Sequence, residues 1–160
     1  MQVVHTVEEI KQKRLEFSQR KIGFVPTMGA LHEGHLALVK KCKSESELSI
    51  VSIFVNPTQF NDNKDLEKYP NTIEADLKSL EKMDVDIVFI PKYEDLYQNE
   101  QKLAVKIAEI EQKMEGSKRP GHFDGVIRVL SIFFNLIKPN YVYFGEKDYQ
   151  QVLVVQQLIN

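Results

Sequence analysis

Apolar and polar positions divide the chain into strand-like and helix-like segments that alternate along its length. Short runs rich in β-branched and aromatic residues occur at Ile22–Val25, Leu48–Val55, Ile87–Pro91 and Tyr141–Phe144, each of buried-strand length. Leu48–Val55 is almost continuously apolar, the pattern of a parallel strand covered on both faces. Helical spacing fills the intervals. Val7–Gln19 carries Val7, Ile10, Leu15 and Phe17 among charges, and Thr6 with Glu9 three positions on predicts a capping box. Leu36–Cys42 places Leu36, Leu38 and Val39 near helical spacing, and a third helix opens at Thr72 with Leu77, Leu80 and Met83 on its apolar face. Val126–Ile137 is apolar around most of its circumference, as an interior helix is, and Pro139 stops it.

The remaining segments are read more coarsely. Met1–His5 leads straight into the first helix, Tyr93–Asn99 is a loop or short helical turn, and Leu103–Ile107 alternates like an edge strand. Gly116–Gly125 reads as a mobile basic loop, and Gly145–Gln151 turns into a last helix. Strand and helix in this repeated order predict an α/β domain with a Rossmann-like, doubly wound, mainly parallel sheet.

Composition narrows the class. A chain of 160 residues is the size of one domain, and a formal net charge of −2 gives no general basic footprint for nucleic acid. The N-terminus lacks the pattern of a secretory leader and no apolar stretch is long enough to span a bilayer, so the expected location is the cytoplasm, with no membrane partner. The single cysteine, Cys42, fits a reducing compartment and reads as a packing residue on its helix. Val152, Val155, Leu158 and Ile159 extend an apolar helical face to Asn160 without a stop signal, so the chain is expected to be a piece of a longer protein.

Candidate chemistry concentrates in Pro26-Thr-Met-Gly-Ala-Leu-His-Glu-Gly-His35, between the first strand and a helix start. A helix start offers unpaired backbone N–H groups and the positive end of the peptide dipole, both favourable to an anion. Gly29 and Gly34 allow close backbone approach, and His32 and His35 add two imidazoles able to donate hydrogen bonds to phosphate oxygens. A nucleoside triphosphate is the ligand this predicts. The loop is not a Walker A sequence, because His35-Leu36 follows Gly34 where Lys-Ser or Lys-Thr belongs. A zinc site is disfavoured, since neither cysteine nor further histidine lies nearby to complete a ligand set. Asn56-Pro-Thr-Gln-Phe-Asn61 follows the central strand at the end where open α/β sheets bind ligands.

Four separated segments together resemble the pantothenate synthetase family, the AMP-forming pantoate–β-alanine ligases: Pro26–His35, Phe54-Val-Asn-Pro-Thr-Gln-Phe60, Arg119-Pro-Gly-His-Phe-Asp-Gly-Val126 and Phe144-Gly-Glu-Lys-Asp-Tyr-Gln-Gln151. The His-x-Gly-His element alone is shared by a broad nucleotidyltransferase superfamily; the four in this order are specific. The resemblance implies ATP-dependent condensation of pantoate with β-alanine through pantoyl adenylate, with Mg²⁺ beside the triphosphate and a homodimer built through this domain. His32, His35 and Lys147 are its catalytic candidates. ATP falls to Met28, Gly29, His32, His35, Gly145, Lys147 and Asp148, with Lys147 neutralising the triphosphate and Asp148 accepting from the ribose hydroxyls. Pantoate falls to Gln59 and Gln151, with Asn56 beside them, and Asp76 is a candidate for the metal region. Arg119 and His122 stand between a substrate-covering loop and ordinary loop chemistry.

Departures from the family pattern are Arg128 and Ile132, where the family more often has Thr and Lys; a buried Arg128 needs a partner. The family also continues into a smaller C-terminal domain, with a Ser- and Arg-containing signature, that closes over ATP. Strongly reduced turnover is therefore expected of this stretch alone. Two other functions compete: a cytidylyl- or adenylyltransferase, which shares His-x-Gly-His but does not require Gln59 and Gln151, and a non-catalytic domain that binds ATP or pantoate.

Overall fold

The computed structural model describes residues 1–98, 121–145 and residue 156. Among these residues five strands, β1 (Gln2–Val4), β2 (Ile22–Thr27), β3 (Leu48–Ile53), β4 (Ile87–Phe89) and β5 (Tyr141–Val142), form one sheet in the order β1-β4-β3-β2-β5 with every pairing parallel. The helices are α1 (Val7–Glu16), α2 (Glu33–Glu45), α3 (Asn63–Glu67), α4 (Ile73–Lys82), α5 (Tyr93–Tyr97) and α6 (His122–Ile137), with a 3₁₀ turn at Pro57–Gln59. The doubly wound α/β expectation holds.

Strand side chains alternate between the two faces, and two separate cores result. Phe24, Ile50, Ile87 and Phe89 pack with Val7 and Ile10 of α1 and with Val126, Val129, Leu130 and Phe133 of α6. Val25, Val51, Ile53 and Val88 pack with Val39 and Cys42 of α2 and Leu80 of α4. All six residues of β3 are buried, because helices cover both of its faces. Cys42 is fully buried and burial pushes its thiol pKa up, in keeping with a packing role.

Several boundaries differ from the sequence reading. Met1–His5 contains β1, which hydrogen-bonds along β4 through Gln2 N to Asp86 O at 2.8 Å and Ile90 N to Val4 O at 2.9 Å. Three residues carry no periodic signal of their own; the neighbouring strand makes them a strand. Helix α1 has the predicted capping box at Thr6 and Glu9, yet it ends at Glu16 rather than Gln19, in tight i→i+3 turns at Ser18 and Arg20, and Leu15 stays 76% exposed. Helix α6 starts at His122, four residues before the predicted Val126, because Gly121 at φ 75° turns the chain into it; residues 121–125 are therefore helix start rather than loop. Thr72 occupies the N-cap of α4 without capping it, since its hydroxyl donates to Asp76 instead. The predicted strand Leu103–Ile107, the rest of the basic loop and the last helix apart from Gln156 lie outside the described residues.

The chain runs from edge strand β1 to β2, returns through β3 to β4, and then crosses to β5 on the far side of β2. The order reverses at β2, and such a reversal opens a crevice at the C-terminal strand ends. Pro26–His35 leaves the sheet there.

Candidate active site at the ends of strands 2 and 3

The loop after β2 is held by a buried carboxylate. Gly29 and Ala30 are both left-handed, at φ 78° and 50°, a conformation that is uncommon for a residue with a Cβ. Asp76 of α4, 3% exposed, accepts the N–H of Ala30 and of Leu31, each at 2.9 Å, and the Thr72 hydroxyl at 3.0 Å. Thr27 ties the same loop to β3 by donating to Ser52 O at 2.7 Å and accepting from Gly29 N at 3.2 Å. Both Asp76 oxygens are thus committed to the loop, and among the described residues no group of three His, Cys, Asp or Glu could hold a metal ion. Asp76, the candidate for the metal region, is in this arrangement the anchor of the loop.

At the start of α2 the two histidines cap the helix together. His32 Nδ1 accepts from Gly34 N at 3.1 Å, His35 Nδ1 accepts from His32 N at 3.4 Å, and the rings lie 4.1 Å apart. A backbone N–H only donates, so each Nδ1 must be the acceptor and the proton of each neutral ring sits on Nε2, the far side of the imidazole. Burial, reinforced by the neighbouring His32, lowers the His35 pKa against a smaller opposing pull from Asp76. The sequence left open whether these rings act neutral or charged; the structure favours a neutral His35 with an Nε2–H donor.

The turn after β3 is built differently. Asn56, 1% exposed, accepts at Oδ1 from Tyr97 Oη at 2.8 Å, Thr58 Oγ1 at 3.0 Å and Thr58 N at 3.3 Å. Its Nδ2 donates to Gly125 O at 3.0 Å and to Gln59 Oε1 at 3.3 Å. These bonds employ both its donors and its acceptor oxygen, and make Asn56, expected beside the pantoate residues, the hub of the turn. Gly125 makes the hub's geometry feasible: a Cβ there would lie 2.5 Å from Thr58 O. Gln59, with its Oε1 taken by Asn56, has Nε2 against Met28 Sδ at 3.1 Å. A thioether is a weak acceptor, which an oxygen ligand would readily replace.

Between loop and turn lies a cleft of about 390 Å³. Met28 and His35 line one side, Asn56, Gln59, Phe60 and Tyr69 another, and Val126, Val129, Leu130 and Phe133 of α6 supply an apolar wall. The cleft therefore joins a few convergent polar groups to an apolar surface, the usual character of a small-molecule site. His122 also lines it and is fixed by Nδ1 donating to Gln59 O at 2.9 Å. Gly29 faces a second cavity of about 370 Å³, separated from the first by Met28, Phe54 and Tyr69. Gly145 is exposed, with open space where a Cβ would be. Lys147, Asp148, Gln151 and Arg119 lie outside the described residues.

The anchoring role of Asp76 and the contact of Tyr97 with the turn are not legible in the sequence. No local signal marks them, because their partners in the loop and the turn are distant in sequence: Asp76 and Tyr97 act across 46 and 41 positions.

A parallel α/β sheet whose reversal point carries a His-x-Gly-His helix start defines a domain of the nucleotidyltransferase type. A family model described as pantoate-beta-alanine ligase matches residues 2–160, and the chain belongs to that family. It is 48% identical over 159 residues to the pantothenate synthetase of Campylobacter hominis, covering 99% of this chain and 58% of the relative. To that of Staphylococcus haemolyticus it is 44% identical, covering 98% and 56%. Among solved structures, the pantoate-beta-alanine ligase of Francisella tularensis, complexed with beta-gamma ATP and beta-alanine, superposes with a TM-score of 0.93 at 46% identity, covering 99% of this chain and 62% of that one. The pantothenate synthetase of Thermus thermophilus gives 0.90 at 41% identity, covering 99% and 57%. The chain thus spans about 58% of the length of the curated relative from Campylobacter hominis.

Proposed function

We propose that this chain is the ATP- and pantoate-binding part of an enzyme that condenses pantoate with β-alanine. The observation that carries the reading is the convergence of His35 and Gln59, from the ends of two adjacent strands, on one cleft. In the first step the pantoate carboxylate attacks the α-phosphorus of ATP and pyrophosphate leaves; in the second the β-alanine amine attacks the acyl carbon of pantoyl adenylate and AMP leaves. No enzyme-bound covalent intermediate is needed, so the residues act by alignment and by stabilising charge on the phosphate oxygens.

In this scheme the Nε2–H groups of His32 and His35 donate to phosphate oxygens, and Met28 and Gly29 shape the wall beside them. The Gln59 amide exchanges the Met28 sulfur for an oxygen of pantoate, and the apolar wall of α6 takes the pantoate methyl groups. Lys147, Asp148, Gly145 and Gln151 are assigned by family resemblance to triphosphate charge, ribose, nucleotide space and pantoate. A homodimer rests on the same resemblance, and a cytoplasmic location on the single Cys42, which suits a reducing compartment. Among the described residues no helix is long and apolar enough to cross a membrane.

Pantoate-dependent release of pyrophosphate from ATP tests the reading. We expect release only when pantoate is present, and its loss by at least tenfold in Gln59→Ala, about what removal of a hydrogen bond to a charged ligand gives. Release indifferent to pantoate would mark a different nucleotidyltransferase.

A further inference from the structure

Gln59 can donate to a carboxylate oxygen of pantoate only if its amide is held with nitrogen toward the cleft, and the residue that secures this orientation comes from a remote element. Tyr97, at the end of α5, sends its hydroxyl to Asn56 Oδ1 at 2.8 Å, the shortest of the bonds to that amide. The same hydroxyl lies 3.2 Å from Thr58 Oγ1, so it engages the turn at two points. With Oδ1 occupied, Asn56 Nδ2 faces Gly125 O and Gln59 Oε1. Gln59 Oε1 is thereby an acceptor turned into the protein, and Nε2 is the end left beside the cleft.

The Tyr97 ring is itself fixed. Tyr93 stacks on it at 4.5 Å between centroids, and the Arg128 guanidinium lies over it at 5.5 Å, within cation–π range. Arg128 belongs to α6, the helix whose Gly125 carbonyl receives the other Asn56 proton. The line Arg128–Tyr97–Asn56–Gln59 therefore joins α5 and α6 to one amide in the cleft. It also gives Arg128, a departure from the family pattern, a specific partner.

We propose that Tyr97, steadied by Arg128, is a positioning residue that orients the Gln59 amide as a donor toward a carboxylate or hydroxyl oxygen of the acid substrate. This rests on the assignment of the cleft to pantoate. It acts on one substrate only, because the loop that leads to the histidine pair is anchored elsewhere, through Asp76 and Thr27.

The test uses the full chain, the Tyr97→Phe variant, which removes one oxygen, and Arg128→Thr. The side-chain amide signals of Asn56 and Gln59 are followed by ¹H–¹⁵N NMR, and ATP and pantoate are titrated calorimetrically. In Tyr97→Phe both amide signals are expected to shift and exchange faster with solvent, and pantoate affinity to fall roughly tenfold with ATP affinity unchanged. Arg128→Thr changes the same signals and lowers pantoate affinity roughly threefold. Unchanged Gln59 amide signals in Tyr97→Phe overturn the proposal, as does an equal loss of ATP and pantoate affinity, which would mark general loosening. Should the unaltered protein fail to bind pantoate while its Gln59 signals respond to Tyr97→Phe, the orienting role stands and the substrate assignment falls.

Discussion

The loop after β2 and the turn after β3 leave the sheet side by side, from strands paired in register up to Thr27 and Ile53, yet they are fixed by opposite means. A buried charge holds the first: the Asp76 carboxylate takes two consecutive backbone N–H groups of a left-handed stretch. A neutral, saturated amide holds the second, with Asn56 using every donor and acceptor it has. Hydrogen bonds to an ionised group are roughly twice as strong as neutral ones, so a carboxylate helped by Thr27 holds the loop while the turn relies on a wider neutral network. In both, the residue with most of the hydrogen bonds serves as the anchor of its segment. The side chains left for a ligand are the imidazoles in one case and the Gln59 amide in the other.

The sharpest way to break this contrast is at the charged anchor. Asp76→Ala leaves two half-buried N–H groups without their carboxylate and is expected to destabilise the fold by about 3 kcal/mol, measured by urea unfolding, and to abolish ATP binding by calorimetry. Retention of ATP affinity in a folded Asp76→Ala protein would show that the loop does not need its anchor. Gly125→Ala strikes the neutral network: the added methyl meets Thr58 backbone, so we expect a net loss of about 1–2 kcal/mol after the helix-propensity gain. Its effect should fall on pantoate affinity and spare ATP.

The smallest effect separates the regions by pH. The His35 pKa is lowered in the folded protein, so between that value and the ordinary histidine value of about 6.5 the unfolded chain binds the extra proton. His35 therefore contributes stability that is present above about pH 6.5 and is lost as pH falls through the folded-state value. Protonation also places a proton on Nδ1, against the His32 N–H it accepts from. Urea midpoints measured from pH 7.5 downward should decline less in His35→Gln than in the parent protein. An identical decline in both would assign the pH dependence elsewhere.

Legibility followed how far apart the interacting residues lie. Ile22–Val25 and Leu48–Val55 stood out because apolar runs between turn signals need no partner to be recognised, although pairing trimmed the second to Ile53. The His-x-Gly-His helix start and the Thr6–Glu9 capping box were equally local. β1 was missed because its three residues become a strand only along β4, and α6 was begun late because Gly121 starts it by backbone conformation. The structural roles of Asn56 and Asp76 are not legible in their own neighbourhoods, since the partners that make one a hub and the other an anchor are distant in sequence.

The sequence by itself determined the class of fold, the end of the sheet where a ligand belongs and the residue types that gather there, because hydrophobic periodicity and helix-start chemistry are local. Only the tertiary structure decided which of those residues have atoms to spare. Hydrogen bonds are used up pairwise, across 41 positions for Tyr97 and Asn56 and 46 for Asp76 and Ala30, and a side chain's remaining capacity exists only once its partners have been brought to it.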